Sequence, residues 1–227
     1  MLNELLSDRH LLALLVQTVP LVFVAVFPVL NPIGSAIILL PYTSDIDEKT
    51  RRFVASKVAR NTLILLTVVL VAGSYLLAFF GISVNVVQAA GGMVLASMGW
   101  KLLTAETPVD SDQPTGDMAT LDEQTFYPFT FPVTVGPGSV AVTLTLSAHT
   151  THPSWTETLV SQAGAIIAFV GLAGTVYLSL AYTVSLLTRI GPSGTKVTMR
   201  LMAFVILCIG AQISWTGIQA LIVQLPH

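Results

Sequence analysis

Charged residues are scarce in this 227-residue sequence. Asp, Glu, Lys and Arg together make up 10% of the residues, against about 25% in an average soluble domain. The net charge is only −2, and no basic stretch is interleaved with aromatic residues, so nucleic-acid binding is not predicted. A composition of 53% apolar residues with a mean hydropathy of +0.79 instead predicts a protein that crosses the lipid bilayer several times.

Residue clusters that carry catalysis or hold metals are also missing from the sequence. The single cysteine, Cys208, lies in an apolar run and has no partner for an intrachain disulfide. His149 and His152 stand three apart, but no carboxylate or cysteine cluster accompanies them, so we predict a surface turn and no metal site. There is no nucleophile elbow, phosphate-binding loop or His-Glu-x-x-His run. We therefore predict that the protein is not an enzyme and has no cofactor.

Six apolar segments are long enough to span a membrane, which takes about 20 residues, and they predict an all-α polytopic fold. They cover residues 16–42, 60–80, 84–103, 126–149, 157–187 and 198–223. Residues 1–15 are predicted to be a peripheral lead-in, and the acidic residues 104–125 a flexible cytoplasmic linker. The linker separates a first three-helix repeat, 16–103, from a second, 126–227. Because three is odd, the second repeat must enter the membrane in the opposite direction, which predicts an inverted-topology repeat.

Basic residues predict the orientation of these spans. Nine lie in the loops after spans one, three and five, namely Lys49, Arg51, Arg52, Lys57, Arg60, Lys101, Arg189, Lys196 and Arg200. Only Arg9 lies on the opposite side. By the positive-inside rule, the three loops face the cytoplasm and both termini face the outside.

Two similar segments interrupt spans one and four with helix-breaking residues. Residues 27–35 read FPVLNPIGS and residues 131–139 read FPVTVGPGS, so five of nine positions are identical without a gap. Counting along each span puts both segments near the middle of the membrane. We interpret them as deliberate breaks in the helices, although Pro and Gly are common in membrane helices and kinks that serve packing alone are the alternative.

The chemistry of each break is that of a helix start. Asn31 before Pro32 matches an N-cap followed by a proline that needs no hydrogen-bond acceptor, and Gly136 before Pro137 has the same form. Each break would therefore leave free N–H groups and a positive helix end at mid-membrane. Such backbone is tolerated only inside protein or beside a wet cavity, so the breaks predict a binding site.

The predicted ligand is a small zwitterion. Free N–H groups suit a carboxylate, and the last carbonyls of the preceding half-helices suit an ammonium group or a cation. No Asp, Glu, Lys or Arg lies in the central part of any of the six spans, which disfavours a carboxylate proton relay. A coupling ion would then be sodium, held by Ser35, Thr134 and Ser139. The predicted ligand shell is Asn31, Gly34, Ser35, Thr134, Gly136, Gly138 and Ser139, with Pro32 and Pro137 as the helix-breaking residues.

Several stretches resemble the MarC family of integral membrane proteins over residues 16–223. They are Asn31-Pro32-Ile33-Gly34, Phe80-Gly81-Ile82-Ser83, Ala90-Gly91-Gly92, Val135-Gly136-Pro137-Gly138, and Arg200-Leu201-Met202 through Cys208, Gly210, Gln212 and Gly217-Ile218. The resemblance implies six spans in the cytoplasmic membrane of a prokaryote. It also implies kinship with transporters of small neutral amino acids such as glycine and alanine, and more distantly with LysE-type exporters.

One position departs from the family pattern. The family often has an Arg three residues before the first Gly of span three, where this sequence has Gln88, while Arg200 is kept at the related place in the second half. Any role of the first Arg therefore cannot be carried over. We predict an alternating-access transporter of small neutral amino acids. The alternative is a non-transporting membrane protein that supports or regulates envelope components, and a homo-oligomer is compatible with either.

Overall fold

The computed structural model describes residues 2–104 and 118–223, and all regular structure in these ranges is helical. The helices are α1 (Leu2–Leu30), α2 (Pro32–Ile38), α3 (Leu40–Thr43), α4 (Glu48–Phe80), α5 (Val84–Thr104), α6 (Met118–Gln124), a π-helical segment (Thr125–Thr134), α7 (Pro137–His149) and α8 (Trp155–Val223). Within α8 the backbone leaves helical geometry at Gly191, whose φ is 73°, so the helix has two halves.

Five helical stretches of the described chain are long and apolar enough to cross a membrane. They are Arg9–Ile38, Glu48–Phe80, Val84–Thr104, Trp155–Ser185 and Lys196–Val223. A bent pair, Leu121–Thr134 with Pro137–His149, makes a sixth if it is one broken span, and its two parts meet at an angle of 73°. The predicted spans fall on these helical stretches, which confirms the all-helical polytopic fold.

Two helix boundaries differ from the positions estimated on apolar character alone. The helix α1 runs from Leu2 to Leu30 without a break, so the predicted lead-in is helical and continuous with the first predicted span. The helix α4 begins at Glu48, twelve residues before the predicted start, and its 33 residues extend about 50 Å. That length exceeds the hydrocarbon thickness of about 30 Å, so one end of α4 protrudes.

The early start of α4 has a local cause in its N-cap. Asp47 accepts hydrogen bonds from the N–H groups of Lys49 and Thr50, at 3.1 and 3.3 Å, and from the Thr50 hydroxyl at 2.6 Å. These bonds satisfy the first orphan donors of the helix. The Thr50 hydroxyl, followed by the Thr50 N–H, lowers the pKa of the Asp47 carboxyl.

The end of the predicted acidic linker is helical. Residues 105–117 lie outside the described chain, whereas Met118–Gln124 form α6. Lys57 of α4 forms an ion pair with Asp122 of α6, and Leu121 is buried in the core. The ion pair and the buried leucine hold α6 against the long helix.

The helix α5 and the second half of α8 are in main-chain contact along their length. A Cβ added to Gly92 would lie 2.3 Å from the N atom of Ser214. A Cβ added to Gly210 would lie 2.3 Å from the N atom of Ala96. Only glycine permits so close an approach, so these two positions explain why the helices need it.

The same two helices make a second matched pair of contacts. A Cβ on Gly99 would lie 2.5 Å from the N atom of Leu207, and one on Gly217 would lie 2.5 Å from the N atom of Ala89. In both pairs, each contact from α5 is repeated from α8 at residue numbers that are higher by 118. The contacts run in opposite directions along the two helices, which are therefore antiparallel.

Candidate functional site

The first break lies at Asn31, between α1 and α2. Asn31 has φ 45° and ψ 63°, which is left-handed backbone that Asn tolerates better than most residues. Its side-chain oxygen accepts a hydrogen bond from the N–H of Gly34 at 3.2 Å, and its carbonyl accepts one from the N–H of Ser35 at 2.9 Å. Asn31 is thus the N-cap of α2, as predicted, and its side chain satisfies one of the first N–H groups of that helix.

The second break lies at Gly136, between the π-helical segment and α7. Gly136 is extended, with φ −83° and ψ 176°, and no side chain caps the helix that follows. The first main-chain bond of α7 runs from the N–H of Val140 to the carbonyl of Gly136, at 3.1 Å. The N–H groups of Gly138 and Ser139 therefore donate to no other part of the described chain.

The π-helical segment ahead of this break uses hydroxyl groups to satisfy its wide turns. Thr130 donates to the carbonyl of Thr125 at 2.6 Å, and Thr134 donates to that of Phe129 at 2.7 Å. Both bonds span five residues, which is π-helical spacing, but the backbone is extended at Tyr127 and Phe131, so the segment is a series of wide turns and not one continuous helix. The hydroxyl proton of Thr134 is used in this way, so only its oxygen lone pairs remain for a ligand.

The two breaks lie against each other. The hydroxyl of Ser35 in α2 lies 3.3 Å from the carbonyl oxygen of Leu30 and 3.4 Å from that of Val133. One proton can be donated to only one of these oxygens at a time, so Ser35 joins the end of α1 to the end of the π-helical segment by weak, alternative bonds.

A cavity of about 50 Å³ lies between the breaks, and we call it the break cavity. It is lined by Val29, Leu30, Asn31, Ser35, Ile38, Leu95, Met98, Leu102, Val133, Thr134, Gly136, Gly138, Ser139 and Ile206. Six of the seven residues predicted as the ligand shell are in this lining. The seventh, Gly34, lies beside a smaller cavity of about 10 Å³, where Asn31 is also found.

The hydroxyl of Ser139 is the most unusual polar group of the break cavity. The residue is 1% exposed, and its oxygen has no hydrogen-bond partner among the described residues. An unpaired buried polar group costs about 1–3 kcal/mol. Together with the N–H groups of Gly138 and Ser139, it makes three unpaired donors at the positive end of α7. This arrangement suits an anionic group such as a carboxylate.

The rest of the lining is uncharged and largely apolar. None of the described residues that line the break cavity carries a formal charge. Leu95 and Met98 of α5 and Ile206 of α8 form one wall, and sequence reasoning missed them because apolar residues in an apolar span carry no distinctive signal. Gly138 faces this wall closely, since a Cβ there would lie 2.6 Å from Leu95 Cδ1.

The histidines lie away from the breaks. His149 ends α7, and His152 lies in the following loop, where its N–H donates to the hydroxyl of Thr158 at 2.9 Å and its carbonyl accepts from that hydroxyl at 3.1 Å. The described residues contain no group of three or more His, Cys, Asp or Glu side chains placed to hold a metal ion.

Comparison with known proteins gives a consistent family assignment. A family model described as MarC family integral membrane protein matches residues 16–222. A UPF0056 membrane protein of Pyrococcus abyssi is 27% identical over 89% of this chain and 95% of its own length. The UPF0056 inner membrane protein MarC of Salmonella typhimurium is 24% identical over 92% of this chain and 97% of its own length. No solved structure matches the chain.

Proposed function

The chain belongs to the MarC family of integral membrane proteins, and from this premise we propose that it transports small neutral amino acids, of the size of glycine or alanine, by alternating access. One observation carries the proposal. The two helix breaks adjoin around a single buried cavity that has unpaired donors and no charged side chain.

The donors and acceptors of the break cavity match the two ends of a zwitterion. We assign the carboxylate to the N–H groups of Gly138 and Ser139 and to the Ser139 hydroxyl, because nothing in the described chain occupies them. The ammonium group would lie at the carbonyls of Leu30 and Val133, which now share the Ser35 hydroxyl at 3.3 and 3.4 Å. Both assignments use groups that make weak hydrogen bonds, or none, within the described chain.

The size of the break cavity limits the substrate. A water molecule needs about 10–15 Å³ of such volume, so the cavity of about 50 Å³ holds a few waters. Leu95 closes it on the side of Gly138. A substrate with a bulky side chain would therefore have to displace the wall formed by α5.

Alternating access needs two related halves that exchange positions around a fixed site. The inverted repeat predicted from the sequence supplies such halves. The repeated break segments and the matched glycine contacts of α5 and α8, 118 residues apart, support it. The matched contacts lie where a pseudo-twofold axis would pass.

We further propose that the protein lies in the cytoplasmic membrane with both termini outside. The protruding start of α4 carries Lys49, Arg51, Arg52 and Lys57. Basic residues concentrate on the cytoplasmic side of membrane proteins. The ends of α1 and α4 that are remote from this basic segment would then face outward.

Sodium coupling is a separate part of the proposal. The hydroxyl oxygens of Ser35, Thr134 and Ser139 line the break cavity, and sodium favours oxygen ligands of this kind. We expect uptake to fall when choline replaces sodium in the assay buffer. Unchanged uptake in choline buffer would contradict sodium coupling. It would not affect the proposal for the substrate site.

The direct test is counterflow of radiolabelled glycine and alanine in proteoliposomes. The wild type is expected to exchange label, and Asn31→Asp and Gly136→Leu to lose exchange because they put a charge or an isobutyl group at the breaks. Gly174→Leu is the matched control, since Gly174 is exposed on α8 and nothing lies within 4 Å of a Cβ there. Absence of counterflow by the wild type with a panel of small metabolites contradicts transport and favours a supporting role in the envelope.

A further inference from the structure

Two larger cavities lie along the seam between α1 and α7, on the side of the breaks where α1 begins. The first, about 390 Å³, is named the histidine cavity and is lined by Leu14, Gln17, Thr18, Leu21, Val22, Leu146, His149, Thr150, His152 and Ser161. The second, about 380 Å³, is named the glutamine cavity and is lined by Val24, Ala25, Pro28, Gln88, Val142, Thr145, Leu146, Ile209, Gln212, Ile213 and Thr216.

The cavities follow one another along the same helices. Leu146, which is 5% exposed, belongs to the lining of both the histidine and the glutamine cavities, so it is the wall between them. On α1, Pro28 lines the glutamine cavity and the next residue, Val29, lines the break cavity. On α7, the lining passes from Val142 in the glutamine cavity to Ser139 in the break cavity. Three residues of helix rise about 4.5 Å, so the cavities are neighbours.

The cavity that described residues line on the opposite side of the break cavity is much smaller. It measures about 10 Å³ and is lined by Asn31, Gly34, Ile38, Leu102, Met199, Met202 and Ala203. Its volume is a small fraction of the volumes of the histidine and glutamine cavities. Among these cavities of the described chain, the wide ones lie on the side of the breaks where α1 begins.

We propose that the histidine and glutamine cavities are an aqueous access path for the substrate to the break cavity, with Leu146 as the residue that constricts it. The proposal rests on the transport function proposed above. It assigns the structure to a conformation that is accessible from the face where α1 begins and closed on the side of Met199 and Met202.

The lining of the path indicates which solutes it admits. Its polar groups are the imidazoles of His149 and His152, the carboxamides of Gln17, Gln88 and Gln212, and threonine and serine hydroxyls, so no permanently charged side chain is present in the lining. A path of this kind suits neutral and zwitterionic solutes, because neither a net cation nor a net anion meets a fixed partner charge.

A buried polar atom in the histidine cavity indicates that the cavity is wet. The Nε2 atom of His152 is buried without a hydrogen-bond partner in the described chain. Buried polar groups are normally paired with protein or with ordered water. Water or a polar solute in the cavity would satisfy this atom.

Thiol labelling tests the path without any need for transport. The exposed Cys208 is first replaced by Ser, and Thr145→Cys is compared with Thr143→Cys, a matched control on the same helix. Thr145 lines the glutamine cavity, whereas Thr143 is fully buried and donates to the carbonyl of Ser139 at 2.7 Å. A sulfonated, membrane-impermeant methanethiosulfonate added to intact cells should label Thr145→Cys about tenfold faster, because a thiolate reacts and apolar burial suppresses it.

Other outcomes overturn the path. Equal labelling rates, or labelling of Thr145→Cys only in inverted membrane vesicles, would contradict an aqueous route from the outer face. Absence of labelling from either side would mean that lipid fills the glutamine cavity. If Thr145→Cys is labelled fast but the wild type shows no counterflow, the result supports the aqueous path and contradicts the proposed transport function.

The constriction has its own test with Ser139→Cys as the reporter in the break cavity. Leu146→Ala should raise the labelling rate of this thiol several-fold, because the substitution widens the wall that separates the two outer cavities. Leu144→Ala, two residues away on α7 and outside both linings, should leave the rate unchanged. An unchanged rate in Leu146→Ala, or an equal increase in both variants, would show that Leu146 does not constrict the path.

Discussion

At the first break the side chain of Asn31 occupies the N–H of Gly34, while at the second break the N–H groups of Gly138 and Ser139 find no acceptor in the described chain. The two segments share five of nine residues and both continue into Pro, yet only the first carries a capping side chain. The first break keeps α1 and α2 within one span, whereas the second turns the chain by 73°.

The comparison assigns different tasks to the two breaks. At the first break, the cap is internal, so the positive end of α2 is partly neutralised before any ligand arrives. At the second, the donors of α7 stay free, and the buried Ser139 hydroxyl stays unpaired beside them. We infer that Asn31 is mainly a conformational residue and that the second break is the part that binds the anionic end of the substrate.

The largest expected effect is on stability at the first break. Asn31→Ala should lower the free energy of unfolding by about 2–3 kcal/mol, because it removes a cap and replaces Asn by a residue that tolerates left-handed backbone less well. Asn31→Gly should cost only a few tenths of a kcal/mol, since Gly adopts that backbone freely. Thermal unfolding of the purified protein in detergent measures both. Equal losses for the two variants would mean that the left-handed conformation is unimportant.

The next largest effect is expected for a substitution that gives the second break a capping side chain like that of the first. Gly136→Asn supplies a side-chain acceptor at the N-cap, where the extended backbone already suits Asn. The new cap would compete with the substrate for the N–H of Ser139, so we expect an increase of about tenfold in the half-saturating glycine concentration, with unfolding temperature unchanged or higher. Counterflow at graded glycine concentrations is the measurement. Affinity that stays at the wild-type value would contradict carboxylate binding at α7.

A smaller effect is expected for the unpaired hydroxyl. Ser139→Ala should weaken glycine binding about fivefold through the loss of one donor to a charged group, while stability is unchanged or slightly higher. The control is Thr143→Ser, one turn along α7, which keeps a hydroxyl that donates within the helix. A Ser139→Ala protein that is less stable and binds normally would mean that the hydroxyl has an internal partner.

The smallest effect concerns a third cap, at Asp47, which differs from Asn31 in that it can titrate. Hydrogen bonds from Thr50 lower the pKa of this exposed carboxyl in the folded state below the ordinary value of 3.8. Its contribution is therefore complete above pH 3.8 and is lost as the pH falls through the lowered pKa. Asp47→Asn keeps the cap and should remove this part of the pH dependence of unfolding. If Asp47→Asn shows the same dependence of unfolding on acid pH as the wild type, other carboxyl groups cause that dependence.

The sequence was sufficient to predict features that depend on composition and on local chemistry. The six spans follow from apolar length, and the cap at Asn31 follows from an Asn that precedes Pro. The capping-box spacing at 44–47 also predicts the helix start that the structure has at Asp47 and Glu48. The predicted span begins only at residue 60 because apolar length marks the membrane-spanning part of a helix and leaves out its charged, protruding turns.

Other features of the site depend on contacts that are distant in the sequence. Nothing local distinguishes Leu95 or Ile206 from other apolar residues, yet both line the break cavity because α5 and α8 approach through glycines. The cap at Asn31 and the free donors of α7 were predicted from local chemistry, whereas the left-handed backbone of Asn31 was not. The cavities along α1 and α7 arise from loose helix packing, which leaves no signature in either segment alone.

The matched glycine contacts of α5 and α8 have a consequence for the ancestry of the chain. Gly92 meets Ser214 as Gly210 meets Ala96, so the contact has the form of an isologous interface, in which one surface meets its own copy. A single three-helix half, inserted into the membrane in both orientations, would carry everything needed for this contact. The surface that holds the two halves of the chain together is thus one that a half-length homodimer could have used before its two copies were joined.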